Sequence, residues 1–221
     1  TIGYFLQEIG VAQKLQVALA VFGLGVLAVV AVELIARTAA VLYEEFIYQQ
    51  EWFDRRAQSP AYSPSDQAKI LYGEMRKSIE REYRPYVGWS RRPFQGTVVN
   101  INDDGDRVTR FDLARDNALQ VWVFGGSTVW GFGTPDGETI PSYLAALLND
   151  EWGVDTTVRN LGEGAFVSTQ EVARLMLELQ RGKRPDLVVI YDGVNDVYAG
   201  TYSPGIPGAI HSQDLISSRV E

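Results

Sequence analysis

The stretch VWVFGGSTVWGFG, residues 121–133, places one serine and four glycines directly after four apolar residues. An apolar strand that ends in Gly-Gly-Ser is typical of a phosphate-binding loop, a tight packing turn, or a nucleophilic serine at a strand end. Gly126 and Gly131 have the separation found in a phosphate-binding loop, but Phe132 stands where that loop needs lysine. A lipase-type elbow needs glycine at the position of Val129. The packing turn and the nucleophile stay open.

An alternation of strand and helix surrounds this serine. The predicted strands are ALQVWVFGG, DTTVRNLG and PDLVVIYDG, and the predicted helices between them are IPSYLAALLNDEWG and STQEVARLMLELQRG. A capping box from Ser168 to Glu171 is expected to open the second helix. This pattern predicts an α/β fold of three layers, a parallel sheet with helices on its faces. Ligands of such folds bind where the strands end, and here the strands end in the turns Gly125-Gly126-Ser127, Asn160-Leu161-Gly162 and Gly193-Val194-Asn195.

The blocks FGGSTVWG, NLG and PDLVVIYDGVND resemble, in this order, the first three sequence blocks of the SGNH (GDSL-like) hydrolase superfamily. The segments VGW and VVNINDDGDRVT, together with an apolar N-terminal segment, resemble a bacterial membrane-anchored branch of it. The resemblance covers roughly residues 86–202 and implies a flavodoxin-like domain that acts on esters. It implies three catalytic residues: Ser127 as nucleophile, and the Gly162 backbone N–H and the Asn195 side-chain amide as donors to the oxyanion. Acyl transfer needs such a hydroxyl and such donors.

The superfamily's fourth block, an Asp three residues before the activating His, has no match in this sequence. His211 is the one histidine, and Gly208 lies three positions before it, so His211 is interpreted as a loop residue. From the resemblance we expect a native polypeptide that continues past Glu221 to an Asp-x-x-His. Two functions stay open: a membrane-anchored serine esterase or acyltransferase acting on O-acyl esters, and a non-catalytic SGNH-like accessory or scaffold subunit of a membrane complex.

The sequence is unbroken and apolar from Val17 to Val32. About 20 apolar residues cross a bilayer, so a single transmembrane helix is predicted over about residues 15–36. Charge leaves its orientation open because Lys14 and Arg37 flank it on opposite sides. The resemblance places the soluble domain outside the cytoplasm, in the periplasm of a bacterium.

Three segments follow from these patterns. Residues 1–57 are assigned to the transmembrane and juxtamembrane helices, 58–85 to a linker and an amphipathic helix that stops at Pro85, and 86–221 to the SGNH-like α/β domain, incomplete at its C-terminus. The expected partners are the lipid bilayer, other membrane subunits bound through the N-terminal helices, and an acyl ester substrate.

Composition excludes several other classes of protein. A net charge of −8 argues against nucleic acid as a partner, and the absence of cysteine excludes disulfides, thiolate metal sites and a cysteine nucleophile. A hairpin turn is predicted at Asp103-Asp104-Gly105. Its residues also fit the first half of a calcium loop, but Phe111 occupies the position of the bidentate glutamate. No cofactor or metal is therefore expected.

Overall fold

The computed structural model describes residues 10–43, 55–60, 65–110, 117–211 and 213–218. The chain divides into two compact units, Thr1–Trp52 and Phe53–Glu221. The predicted juxtamembrane helix falls largely on residues 44–54, outside the described residues, and so does the predicted helix start at Ser63 and Pro64.

The first unit contains helix α1, Val11–Leu42. Over Gln13–Leu42 this helix is long and apolar enough to cross a membrane, and its most apolar window has no buried residue. At about 1.5 Å per residue it exceeds the roughly 30 Å of a bilayer's hydrocarbon core. Its two charges near the C-terminal end pair within the helix, Arg37 Nε lying 2.8 Å from Glu33 Oε1. Length and composition alone also fit a signal sequence.

The second unit begins with a helix and two small antiparallel strand pairs: α2 Ser65–Lys77, β1 Arg81–Arg84, β2 Gly88–Arg91, β3 Phe94–Gln95 and β4 Asn100–Ile101. The α/β part follows: β5 Leu119–Gly125, α3 Ser127–Trp130, α4 Ile140–Ala146 with a π-helical extension Leu147–Glu151, β6 Thr156–Asn160, α5 Ser168–Gln180, β7 Leu187–Tyr191, α6 Val194–Tyr202 and α7 Gln213–Ser218. The predicted order of strands and helices is confirmed.

The sheet is parallel, in the order β6–β5–β7, with β5 in the centre. Side chains of β5 alternate between two cores. Val121 and Val123 pack with Ala145 of α4, whereas Trp122 and Phe124 pack towards Leu175 of α5. Helices therefore cover both faces of the sheet, as the predicted α/β layering requires.

One edge of the sheet is less well covered. Strand β7 pairs with β5, and Leu187, Ile190 and Tyr191 are exposed. Helix α6 adds exposed Val194 and Val197. Parallel strands ordinarily bury both faces, so this edge exposes apolar surface that such a sheet usually covers.

The amphipathic helix is shorter than its apolar spacing predicts. Helix α2 ends at Lys77 rather than before Pro85, and residues 81–84 form strand β1, paired with β2. The chain reverses between the two strands through Tyr86 and Gly88, both at positive φ. The helical period extends to Ile79 and Tyr83, but these side chains are exposed, so burial gives the chain no reason to continue the helix.

The capping box predicted from Ser168 to Glu171 is wrong. Val167 precedes the first helical residue, and its N–H donates to Gln170 Oε1 at 3.3 Å. Ser168 instead donates its backbone N–H to Asp196 at 3.2 Å and its hydroxyl to the same carboxylate. Gln170 therefore makes the capping contact at the start of α5, and Glu171 takes no part in it.

The turn predicted at Asp103-Asp104-Gly105 is confirmed. Gly105 has φ +82° and donates its N–H to the Asn102 carbonyl at 2.9 Å. The side-chain oxygen of Asn102 accepts the N–H groups of Asp104 and Asp106, both at 3.0 Å, so it holds the turn together. Among the described residues, no group of three or more His, Cys, Asp or Glu side chains could hold a metal ion.

Arg107 ties the first part of this unit to the loop after α3. It is 1% exposed, and its guanidinium donates to Asp136 Oδ1 at 2.7 Å and to Thr134 O at 2.8 Å. It also donates to the carbonyls of Trp130 and Gly131 at 3.3 and 3.2 Å. One buried cation thus satisfies a carboxylate and three backbone acceptors.

Replacing Arg107 with alanine should lower the free energy of unfolding by about 3 kcal/mol or more, because a buried partner and several acceptors lose their donor. Thermal and denaturant unfolding of the detergent-solubilised chain would measure this loss of stability. Arg92→Ala is the matched control: Arg92 pairs with Glu80 at 3.2 Å, but both side chains are more than half exposed. Removing the Arg92 side chain should lower the free energy of unfolding by about 0–1 kcal/mol. Equal losses for the two variants would contradict this role of Arg107.

Candidate active site

Ser127 is the first residue of the single-turn helix α3, directly after the central strand. Its side chain is exposed and makes no hydrogen bond within the described chain. Its carbonyl accepts the N–H groups of Gly131 and Phe132, both at 3.0 Å. Val129 and Trp130, both fully buried, hold the short helix in the core. The hydroxyl is therefore presented outward from a fixed backbone.

Gly126 allows Asn195 to approach this turn. A Cβ on Gly126 would collide with Asn195 Nδ2 and would lie 3.6 Å from Asp192 Oδ1. Asn195 lies in the first turn of α6, which follows β7, and its Nδ2 donates to the Phe166 carbonyl at 2.8 Å. A carboxamide nitrogen carries two hydrogens, so a second donor remains beside Gly126. The turns after β5 and β7 therefore meet where Asn195 lies against Gly126, the residue before Ser127.

Gly162 lies in the turn after β6 and allows this turn to contact α3, the helix that begins with Ser127. A Cβ on Gly162 would collide with the backbone nitrogen of Trp130 in α3. Asn160 reinforces this contact, since its Nδ2 donates to the Val129 carbonyl at 3.0 Å. Its Oδ1 accepts the Gly162 N–H, also at 3.0 Å. The donor role predicted for the Gly162 N–H stays a prediction, and this group would have to leave Asn160 to fill it.

Ala165 is a residue that the sequence analysis missed. It has φ +64°, and its N–H has no acceptor in the described chain. The neighbouring N–H groups all have acceptors; they belong to Gly162, Glu163, Gly164, Phe166 and Val167. Ala165 is half-buried, so this N–H can donate to water or to a ligand. An alanine after Gly-Glu-Gly gives no sequence signal of that backbone conformation.

Buried charge holds this loop in place. Glu163 is fully buried and accepts from Arg91 twice, at the side-chain Nε (3.1 Å) and the backbone N–H (3.2 Å). The Arg91 guanidinium also stacks over the Trp130 ring at 4.4 Å, and Arg107 stacks over the same ring at the same distance. Because Trp130 belongs to α3, these contacts connect the loop after β6 to the serine turn.

No described histidine, aspartate or glutamate hydrogen-bonds to Ser127. His211 packs on the Tyr198 ring at 5.5 Å between centroids, and its Nε2 is buried without a partner. Glu163 is committed to Arg91, and Asp196 to Ser168. Within the described residues the site therefore has a hydroxyl and donors, but no proton acceptor in contact with the hydroxyl.

No protein-family model and no curated protein matches this chain. Solved structures that it resembles include AlinE4, an SGNH-hydrolase family esterase, at 22% identity, and two single-residue variants of that esterase at 22% and 20% identity. Each has a TM-score of 0.34, and each match covers 39% of this chain and 46% of the solved one. The similarity thus spans less than half of those esterases and does not identify a reaction.

Substituting Gly126 with alanine should displace Asn195 and destabilise the fold by about 1–3 kcal/mol, because the added methyl group has no space. Unfolding of the solubilised chain measures the loss. Gly200→Ala in α6 is the control: a Cβ there meets nothing within 4 Å. Alanine is a better helix former than glycine by up to about 1 kcal/mol, so this variant should be as stable as the parent or more so. A Gly126→Ala protein of unchanged stability would rule out the close approach.

Proposed function

We propose that this chain belongs to a membrane-anchored serine esterase or acyltransferase of SGNH type that acts on O-acyl esters. The observation that supports this proposal is that three strand-end turns contact one another beside an exposed serine. Ser127 stands at the end of the central strand, the Asn195 amide lies against Gly126, and an unpaired N–H is present at Ala165. A packing turn requires the glycines but not the exposed hydroxyl or the free donors.

The chemistry of such a site is acyl transfer. The Ser127 oxygen bonds to the ester carbonyl carbon, and the carbonyl electron pair moves onto its oxygen. Asn195 Nδ2 donates to that oxyanion, and so does one backbone N–H, which we assign to Ala165 or, after release from Asn160, to Gly162. The tetrahedral intermediate then expels the alcohol, and water or a second alcohol takes the acyl group from the serine. Removing one such donor typically lowers the rate about 100- to 1,000-fold.

The reaction also needs a base, since a serine hydroxyl is a weak nucleophile near neutral pH. The predicted Asp-x-x-His would supply it, with His accepting the serine proton and Asp orienting the ring. Because the described residues place no such base beside Ser127, a second function stays open. In that function the domain is a non-catalytic scaffold subunit that keeps the turn geometry without the reaction.

Labelling by a fluorophosphonate probe tests the nucleophile. The full-length protein in detergent should be labelled at Ser127, and Ser127→Ala should abolish labelling. Asn195→Ala should slow it by about 100-fold or more, because the phosphonyl oxygen loses a donor. Mass spectrometry of the labelled peptide identifies the residue.

The matched control is Thr128→Ala, which removes the exposed hydroxyl next to Ser127. Its labelling should equal that of the parent. Labelling that persists in Ser127→Ala contradicts the assignment. A parent protein that is folded but never labelled favours the scaffold function.

The anchor is a separate part of the proposal. We propose that α1 crosses the bilayer with the α/β unit outside the cytoplasm. Every described residue of this helix is exposed apart from the half-buried Gly23, which fits lipid contact. A Cβ added to Gly23 or Gly25 would meet no atom within 4 Å, so a neighbouring membrane helix could approach these glycines closely.

Carbonate extraction tests the anchor. The parent protein should stay in the membrane pellet, and Leu24→Lys combined with Leu27→Lys should release it, since each charge at a helix centre costs about 2.5–3.5 kcal/mol in the bilayer. Glu33→Gln, near the end of the helix, is the control and should stay in the pellet. An intact mass showing that the mature protein begins after Leu42 would identify a signal sequence instead.

A further inference from the structure

Two carboxyl groups, one buried and one half-buried, lie next to the serine turn. Glu171 of α5 is 1% exposed, and both of its carboxyl oxygens are buried without an N–H or O–H donor among the described residues. Asp192 directly follows β7, and its Oδ2 is buried without a donor as well. The hydrogen bonds of Asp196 to Ser168 hold the β7–α6 turn against the start of α5, where the Asp192 and Glu171 carboxyl groups interact. Two acceptors can form a hydrogen bond only if one of them carries a proton.

The charges around this pair are negative. Asp196, in the first turn of α6, adds a third carboxylate, and it is bound to Ser168 at the start of α5. Arg174 lies one turn beyond Glu171; its Nη2 is bound to Asp106, and its Nε has no partner among the described residues. No described cation forms an ion pair with Glu171 or Asp192.

Burial and like charge therefore favour a shared proton. Burial first, and then the charge of Asp192 and Asp196, raise the pKa of Glu171 to about 8. Burial also raises the pKa of Asp192, although the Gly193 N–H opposes the shift. Near neutral pH one proton between the two groups removes one of two adjacent negative charges.

We propose that Glu171 and Asp192 share one proton, and that this hydrogen bond is a positioning element that fixes the β7–α6 turn against α5 and so places the Asn195 amide. Asp192 and Asn195 are separated by only two residues, of which Gly193 has φ +125°. A turn this tight passes a displacement of Asp192 on to Asn195. Loss of the proton leaves three carboxylates together, and repulsion moves the turn away from α5. The role in placing Asn195 for catalysis rests on the proposed function, whereas the shared proton does not.

The sign of the effect on stability follows from linkage. The folded pKa of Glu171, about 8, lies above the value of roughly 4.3 in an unfolded chain. Between these values the folded protein binds one proton more than the unfolded one. The contribution of this proton to the free energy of unfolding is therefore complete below about pH 4. It falls as the pH rises towards 8 and is lost above that pH.

The experiment is thermal unfolding of the detergent-solubilised full chain from pH 5 to pH 9, for the parent, Glu171→Gln and Asp192→Asn. Each amide can donate the hydrogen of the shared bond but cannot lose it as a proton. Between pH 5 and pH 8 the unfolding equilibrium constant of the parent should rise by on the order of 100-fold more than that of Glu171→Gln. It should also rise more than that of Asp192→Asn, in which burial alone still raises the pKa of Glu171. If one variant does not fold, the other still shows whether the slope of the parent depends on this pair.

Glu178→Gln is the matched control on the same helix. Glu178 is also 1% exposed, but Arg159, Arg181 and Lys183 pair with it. Burial acts to raise the pKa of Glu178, and Arg159 and Lys183 outweigh it and hold that pKa below its usual value. This variant should be less stable than the parent throughout and should keep the parent's slope with pH from 5 to 9. Parent-like slopes in both Glu171→Gln and Asp192→Asn would overturn the shared proton.

Hydrogen–deuterium exchange of the peptide spanning residues 192–202 tests the positioning role. After correction for the intrinsic rate, its exchange should increase above pH 8 in the parent and stay constant in Glu171→Gln. Constant exchange in both proteins would overturn the positioning role. If the protein is never labelled at Ser127 but these results hold, the esterase function fails while the shared proton stands.

Discussion

The structure around Ser127 depends on close backbone contact that only glycine permits. Gly126 leaves room for the Asn195 amide, and Gly162 leaves room for the backbone of α3. The Asn160 carboxamide then joins two of the turns, accepting from one and donating to the other. Any side chain at either glycine would separate turns whose hydrogen bonds are formed at about 3 Å, so the contact of the three strand ends is a constraint of space before it is one of chemistry.

Buried charge reinforces this contact through residues that come before the sheet in the sequence. Arg91 and Arg107 both stack on Trp130, and each is fixed by a carboxylate, Glu163 and Asp136 respectively. A buried cation is tolerable only if its donors are used, and here they also bind backbone carbonyls, those of Ser78 and Thr134 among them. The segment before the α/β alternation is thus part of the support of the site.

Helix α5 carries two buried glutamates whose neighbouring charges have opposite signs. Glu178 meets three cations and stays charged, whereas Glu171 meets two carboxylates and retains a proton. Both side chains are withdrawn from water to the same degree, so the sign of the neighbouring charge alone decides which form is stable. The end of the helix is fixed by ion pairs, and its beginning, next to the β7–α6 turn, by a hydrogen bond that depends on pH.

The sequence by itself determined the order of strands and helices, because long apolar runs and their glycine-bearing ends are local features that burial on both faces of a sheet requires. It also determined that Ser127, Gly162 and Asn195 follow strand ends. It did not determine that α2 stops at Lys77, that Gln170 caps α5, or that the N–H of Ala165 is free while that of Gly162 is not. The helix end, the cap and the state of each N–H depend on which hydrogen-bond partner lies within reach. Packing of distant parts of the chain brings those partners together, so only the tertiary structure decided these features.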